Sequence, residues 1–130
     1  MPHVKKAELV EGAVYMPSPV RSTHAITHMK INLWLGTYCT RTPGVYAYDN
    51  ATVRLDADNE VQPDALLRMA EAVGGTSHIS EDDYIEGAPE LVVEVAASSA
   101  AYDLYEKLHV YRRCGVREYV VWQLHEQRLD

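Results

Sequence analysis

The run ELVVEVA at residues 90–96 constrains the fold more than any other part of the chain. Side chains alternate between the two faces of a strand, so Glu94 and Ala96 share one face while Val93 and Val95 lie on the other. Because apolar residues occupy both faces, the run is typical of a central strand that is covered on each side. The chain must therefore place structure above and below the sheet that contains this strand.

Glu94 is a carboxylate inside this apolar run. An isolated charge in an apolar interior costs several kcal/mol unless it is paired, hydrogen-bonded or bound to a cation. Asp64 interrupts another apolar strand, directly after Pro63. Two carboxylates on neighbouring strands can converge on Mg²⁺, which prefers oxygen ligands and can activate water against a phosphodiester. The alternatives are a turn role for Asp64 and an ion pair of Glu94 with Arg112 or Arg117.

Apolar periodicity and turn residues predict the order of the elements. Helices are predicted at 23–38 and 99–114, with Gly115 as the cap that ends the second. The predicted strands are a short pair at 8–16, a hairpin of 45–56 with 61–69, the run at 90–96 and a last strand at 117–124. Residues 70–88 are predicted to be an exposed loop. This order predicts a mixed α/β domain with one sheet.

Length and composition fit one globular domain over residues 1–130, with 47% hydrophobic and 24% charged residues. No window approaches the roughly 18 apolar residues of a membrane span, so we expect a cytoplasmic protein with no membrane. Cys39 and Cys114 match no metal or redox spacing and are predicted to be reduced thiols. The net charge of -7 means that DNA binding should need divalent metal to offset it.

Three segments carry a resemblance to a known family: AELVEGAVYMPSP at 7–19, QPDALL at 62–67 and GAPELVVEVAASSAAYDLYEKLHVYRRCGVREYVVW at 87–122. An Asp after Pro on one strand, then a Glu on the next with Lys two residues later, is the signature of the PD-(D/E)XK nucleases. The segments together resemble the Uma family of restriction endonucleases, a branch of that superfamily. The strand lysine is Ala96 here, and Lys107 matches the lysine that this branch carries on the following helix. The family pattern continues through further C-terminal strands, whereas this chain ends at Asp130.

The resemblance implies a restriction-endonuclease-like mixed β-sheet flanked by α-helices, and Mg²⁺-dependent hydrolysis of DNA with Mn²⁺ as a substitute. It implies that Asp64, Glu94 and a backbone carbonyl near Val95 hold the metal, that Lys107 orients or activates water, and that Glu8 and His24 assist. The small side chain of Ala96 would leave room beside Glu94 for an ammonium arriving from the helix. Cleavage of a duplex needs two such sites, so a homodimer is expected by analogy.

Other interpretations of these residues stay open at this point. Lys107 would also form a surface i,i+4 pair with Asp103. His24 and His28 have the spacing of zinc ligands on a helix, but HAITH lacks the Glu of the HExxH motif.

Basic residues and the overall acidic charge leave two further alternatives. A phosphate-facing strip is one possibility for Arg21, Lys30, Arg112 and Arg113, and scattered surface charges are the other. The rival function is a non-catalytic module on the same fold that binds nucleic acid or a partner protein.

Overall fold

The computed structural model describes residues 7–15, 22–97 and 101–124. Helix α1 spans Ser22–Arg41 and helix α2 spans Ala101–Cys114. Ten strands lie in these ranges: β1 Glu8–Val10, β2 Ala13–Tyr15, β3 Val45–Asp49, β4 Val53–Asp56, β5 Asn59–Val61, β6 Ala65–Met69, β7 His78–Ile79, β8 Ile85–Glu86, β9 Leu91–Ala97 and β10 Glu118–Leu124. Neither helix has the length and apolarity needed to cross a bilayer. The predicted helices and the strands at both ends of the chain are confirmed.

The strands form two mixed sheets. A four-stranded sheet has the order β10-β9-β6-β3, in which β9 and β10 are parallel and the other pairs are antiparallel. A six-stranded sheet has the order β2-β1-β5-β4-β8-β7, in which only β4 and β8 are parallel among the described strands. The mixed α/β class is therefore confirmed, whereas the prediction of one sheet is wrong.

Strand β9 lies inside the four-stranded sheet and is covered on both faces, as its alternating pattern predicts. Val93 and Val95 pack with Ile31 and Leu35 of α1 in one core cluster. Val92 packs in a second core cluster with residues of α2 and of the six-stranded sheet. Helix α1 therefore covers one face of β9, while α2 and the six-stranded sheet cover the other.

Helix α2 ends at a left-handed glycine, which fixes the position of its last turn. Gly115 has φ 99°, and the Val116 N–H donates to the Tyr111 carbonyl at 3.0 Å. This bond pattern is the Schellman cap that the glycine predicts.

The segment 45–56 pairs antiparallel with residues 59–69, so the predicted hairpin is confirmed, but its two halves are separate strands in different sheets. Asn50 breaks the segment with φ 53°, and its N–H donates to the Asp64 carbonyl at 3.2 Å. Strand β3 consequently pairs with β6, while β4 turns into the hairpin with β5. The hydrogen bond from Asn50 also connects this break to Asp64, the residue directly before β6.

Residues 70–88 are mostly exposed, as predicted, but a part of the segment is buried and it includes regular structure. The segment contains a 3₁₀ turn at Glu71–Val73 and the strands β7 and β8. The guanidinium of Arg68, in a residue 6% exposed, donates to Ser77 Oγ at 2.9 Å and to the Ser77 carbonyl at 3.0 Å. Because a buried guanidinium needs such acceptors, it holds the loop against the sheet.

Two glycine variants test how α1 and this loop are packed. Gly36→Ala in α1 is expected to stabilise the protein by about 0.5–1 kcal/mol, because alanine is the better helix former and its Cβ would meet no atom within 4 Å. Gly75→Ala is the contrast, since its Cβ would lie 1.9 Å from the Met69 carbonyl oxygen. We expect it to cost more than about 1 kcal/mol. Urea unfolding measures both changes, and a destabilising Gly36→Ala would contradict the open surface at that position.

Candidate active site

Glu94 on β9 is buried, and its charge is compensated from α2. The residue is 4% exposed. The Lys107 ammonium lies 2.6 Å from Glu94 Oε1, and the Tyr111 hydroxyl donates to the same oxygen at 3.1 Å. Both partners come from one face of α2, because they are four residues apart. A lysine on the helix therefore supplies the cation beside Glu94, while Arg112 and Arg117 are exposed.

Glu8 on β1 brings a second carboxylate to the same ammonium. Its oxygens lie 2.9 and 3.1 Å from Lys107 Nζ, and Glu8 Oε2 also accepts a hydrogen bond of 2.8 Å from the Gln62 N–H. The residue is 7% exposed. Glu8 and Glu94 belong to different sheets, so the lysine joins the two sheets through its ammonium.

The Lys107 side chain is 12% exposed, so it is not the surface partner that its spacing from Asp103 allows. The side chain of Asp103 lies outside the described residues. Burial alone would lower the pKa of the Lys107 ammonium, but the charges and hydrogen bonds of Glu94 and Glu8 outweigh burial and raise it. The ammonium therefore stays protonated at neutral pH. It can orient a water or stabilise an anion, but it cannot accept a proton from water.

Asp64 lies at the start of β6, next to the position where β9 carries Glu94. Ala65 pairs with Val93, so the antiparallel register puts Asp64 across from Glu94. Asp64 is 4% exposed, and its Oδ2 accepts a hydrogen bond of 2.6 Å from the Val95 N–H. Its carboxylate thus lies inside the fold, bonded to the neighbouring strand, as a metal ligand requires and a surface turn residue does not.

His24 and His28 reach Asp64 from the inner face of α1. His24 Nε2 lies 3.5 Å from Asp64 Oδ1. His28 Nε2 lies 2.5 Å from the Asp64 carbonyl oxygen and 2.8 Å from Asp49 Oδ1. The predicted proximity of His24 to the site is present, and His28 accompanies it.

Three carboxylates that are buried among the described residues belong to the site, those of Glu8, Asp64 and Glu94. Glu8 and Glu94 share the Lys107 ammonium, and Asp64 lies across from Glu94 on the neighbouring strand. Carboxylate oxygens are the donors that Mg²⁺ prefers, so the residues present fit a magnesium ion.

Two tyrosines line the site, Tyr111 and Tyr119, and the sequence analysis singled out neither of them. Burial, followed by the Glu94 charge, raises the pKa of Tyr111 well above its ordinary value. Burial, followed by the charges of the three buried carboxylates, also raises the pKa of Tyr119. The Tyr119 hydroxyl is buried without a hydrogen-bond partner among the described residues. The i+4 spacing from Lys107 could have indicated Tyr111, whereas nothing local marks Tyr119.

The predicted strip of basic residues is not one surface. Lys30 lies on α1 and Arg113 on α2, and the two helices cover opposite faces of the four-stranded sheet. Arg113 is paired with Glu11 at 2.6 Å. Arg21 lies outside the described residues.

A comparison with solved structures agrees with the overall fold. The fold is similar to the crystal structure of a putative nuclease belonging to DUF820 from Anabaena variabilis, with a TM-score of 0.70 and 12% sequence identity. The similarity covers 92% of this chain and 65% of that chain, so this chain spans about two thirds of that protein's length. No protein with a curated description matches.

A family model also matches the sequence. It is that of Uma2, described as "Putative restriction endonuclease", and it matches residues 1–130. The chain belongs to the Uma2 family.

Proposed function

We propose that this protein is a metal-dependent endonuclease that hydrolyses DNA phosphodiester bonds. The observation that carries the proposal is the buried cluster in which Lys107 bridges Glu8 and Glu94 while the buried Asp64 lies across from Glu94. Membership of the Uma2 family supports a nuclease-like chemistry for this cluster.

Asp64 and Glu94, with the backbone carbonyl of Val95, would hold Mg²⁺ or its substitute Mn²⁺. When bound, the metal polarises the phosphodiester and lowers the pKa of a coordinated water. The Val95 N–H bond to Asp64 Oδ2, 2.6 Å long, supports this ligand set because it fixes one carboxylate oxygen against β9.

Lys107 would act through its positive charge. Its raised pKa keeps a cation beside Glu94, where it can hold the attacking water and stabilise negative charge on the phosphate. Glu8 is a positioning residue in this proposal, because it holds the ammonium from the six-stranded sheet while Glu94 contacts it from the four-stranded sheet. His24 is the candidate proton or phosphate partner, since it is partly exposed and reaches Asp64.

DNA would approach from the side of α1. Residues 12–48 contain no acidic side chain, although the whole chain has 19. Lys30, Trp34 and Arg41 are exposed on α1 at a spacing that places them along one line. Two cations with an aromatic between them suit a phosphate backbone and a base or sugar, and they avoid the repulsion expected from a net charge of -7.

A homodimer would supply the second site that duplex cleavage needs. Ile26, Met29 and Leu33 are exposed by 58%, 69% and 71% and follow one another at i, i+3 and i+7 on α1. A ridge of three large apolar side chains is costly to leave in water, and a second copy of the chain is the occupant proposed for it.

Lys107→Met tests the catalytic proposal. The variant removes the cation and keeps the apolar stem, so metal-dependent cleavage of plasmid DNA is expected to fall at least about a hundredfold. It also leaves two buried carboxylates without their ammonium, at a cost of about 3–5 kcal/mol. The double variant Lys107→Met, Glu8→Gln is expected to regain part of that stability and none of the cleavage. Circular dichroism at the assay temperature establishes that each variant is folded.

Two further variants complete this test. Arg113→Met changes an exposed, paired cation on the same helix and should cleave like wild type. Ala96→Lys in the Lys107→Met background should restore part of the rate, because Ala96 shares the face of β9 that carries Glu94, at a stability cost of about 1–3 kcal/mol. Full cleavage by folded Lys107→Met would exclude the lysine from the chemistry.

Binding of DNA is the second test. The binding assay uses Ca²⁺, because Ca²⁺ is not the metal proposed for hydrolysis. We expect wild type to bind a short DNA duplex more tightly in Ca²⁺ than in EDTA. Its affinity should also fall steeply as the salt concentration rises. Lys30→Ala with Arg41→Ala should reduce the salt slope by roughly the two lost phosphate contacts. Arg112→Ala with Arg113→Ala, which also removes two exposed cations, is the control of matched charge. Fluorescence anisotropy measures DNA binding by wild type, the α1 variant and the control. An affinity that changes neither with Ca²⁺ nor in the α1 variant would contradict the proposed DNA face.

A further inference from the structure

The donor atoms of His24, His28 and Asp64 form a compact group on the α1 side of Asp64. Their ligand atoms all lie within 4.8 Å of one another. A metal ion with bonds of about 2.0–2.2 Å needs its ligands roughly 3–4.5 Å apart, so small side-chain rotations suffice to bring these three onto one ion. The Asp64 side chain is 6% exposed, that of His24 23% and that of His28 14%.

The fold holds these three residues in place before any ion arrives. His24 and His28 are i and i+4 on α1, and their ring centroids are 6.2 Å apart. The same face of α1 is anchored in the core by Ile31 and Leu35. The Val95 N–H holds Asp64 Oδ2, which leaves Oδ1 directed toward His24. Such fixed orientation of ligands is what second contacts provide in metal sites.

We propose that His24, His28 and Asp64 bind a divalent transition metal, of the class Mn²⁺, Co²⁺, Ni²⁺ or Zn²⁺, at a site separate from the Glu94 side of Asp64. Imidazole nitrogen suits these ions, whereas Mg²⁺ takes oxygen ligands. Two histidines with one carboxylate are a recurring ligand set for such metals. The two sites share Asp64, but this ligand set does not require that the protein cleave DNA.

Oxygen atoms near His28 could complete the coordination. The Asp64 carbonyl oxygen and Asp49 Oδ1 lie 2.5 and 2.8 Å from His28 Nε2. In the metal-free protein the Nε2 proton can be donated to these oxygens. Binding of a metal at Nε2 would need the tautomer that carries the proton on Nδ1, so the metal would replace the hydrogen bond from Nε2 to these oxygens. The competing explanation is that these contacts are only a hydrogen-bonded histidine pair.

Titration of tag-free protein with Co²⁺ separates the two explanations, because the visible absorption of Co²⁺ reports nitrogen ligands directly. We expect wild type to bind Co²⁺ and Zn²⁺, and His24→Asn or His28→Asn to weaken Co²⁺ binding at least about tenfold. His78→Asn is the control, since His78 is half exposed and paired with Glu86 at 3.3 Å. It should leave the affinity and the spectrum unchanged.

Variants of the carboxylates distinguish this site from the proposed nuclease site. Asp64→Asn should weaken both Co²⁺ and Mg²⁺, whereas Glu94→Gln should weaken Mg²⁺ and leave Co²⁺ affinity within about threefold of wild type. Equal Co²⁺ affinity in wild type and in both folded histidine variants would overturn the inference, even if the protein cleaves DNA. Loss of Co²⁺ binding in the histidine variants would support it, even if no cleavage is found.

Discussion

The contact of the Lys107 ammonium with Glu8 and Glu94 is the interaction on which the rest of the structure depends. Glu8 belongs to the six-stranded sheet, Glu94 to the four-stranded sheet and Lys107 to α2, so one buried cation ties three elements together. Burying these charges costs solvation energy that the ion pairs only partly return, and apolar residues of similar volume would often serve stability as well or better. Their presence is therefore better explained by chemistry than by stability.

Asp64 is the second residue on which the site depends, because it lies between two groups of site residues. On one side its register places it across from Glu94, and on the other side α1 brings His24 and His28 against it. The two helices thus deliver different chemistry to opposite faces of the four-stranded sheet: a protonated lysine from α2 and imidazoles from α1. The break between β3 and β4 at Asn50 is also connected to Asp64, because the Asn50 N–H donates a hydrogen bond to the Asp64 carbonyl. A change at Asp64 is therefore expected to affect the two proposed metal sites and the local path of the chain together.

The sequence predicted those parts of the fold that local patterns determine. The alternation in residues 90–96 predicted a strand covered on both faces, and Gly115 predicted the end of α2. The division into two sheets was not predicted, because it depends on the positive φ of Asn50 and on its bond to a carbonyl 14 residues away in sequence. The burial of Ser77 within residues 70–88 was also missed, since it depends on Arg68, whose need for acceptors becomes visible only when it is known to be buried.

The site residues also divide into those that a local pattern indicated and those that it did not. Glu94 and Asp64 stood out locally as charges within apolar strands, but Glu8 and Lys107, 99 positions apart, came from the family resemblance alone. The central claim is that the cluster of buried carboxylates around Asp64 and Glu94 binds a divalent cation. The thermal unfolding midpoint measured against Mg²⁺ concentration tests it most directly. The account predicts that wild type gains about 2.7 kcal/mol at a hundred times its Kd, and that Asp64→Asn and Glu94→Gln fold but lose this gain. A wild-type midpoint that does not respond to Mg²⁺, or that rises equally in both variants, would contradict it.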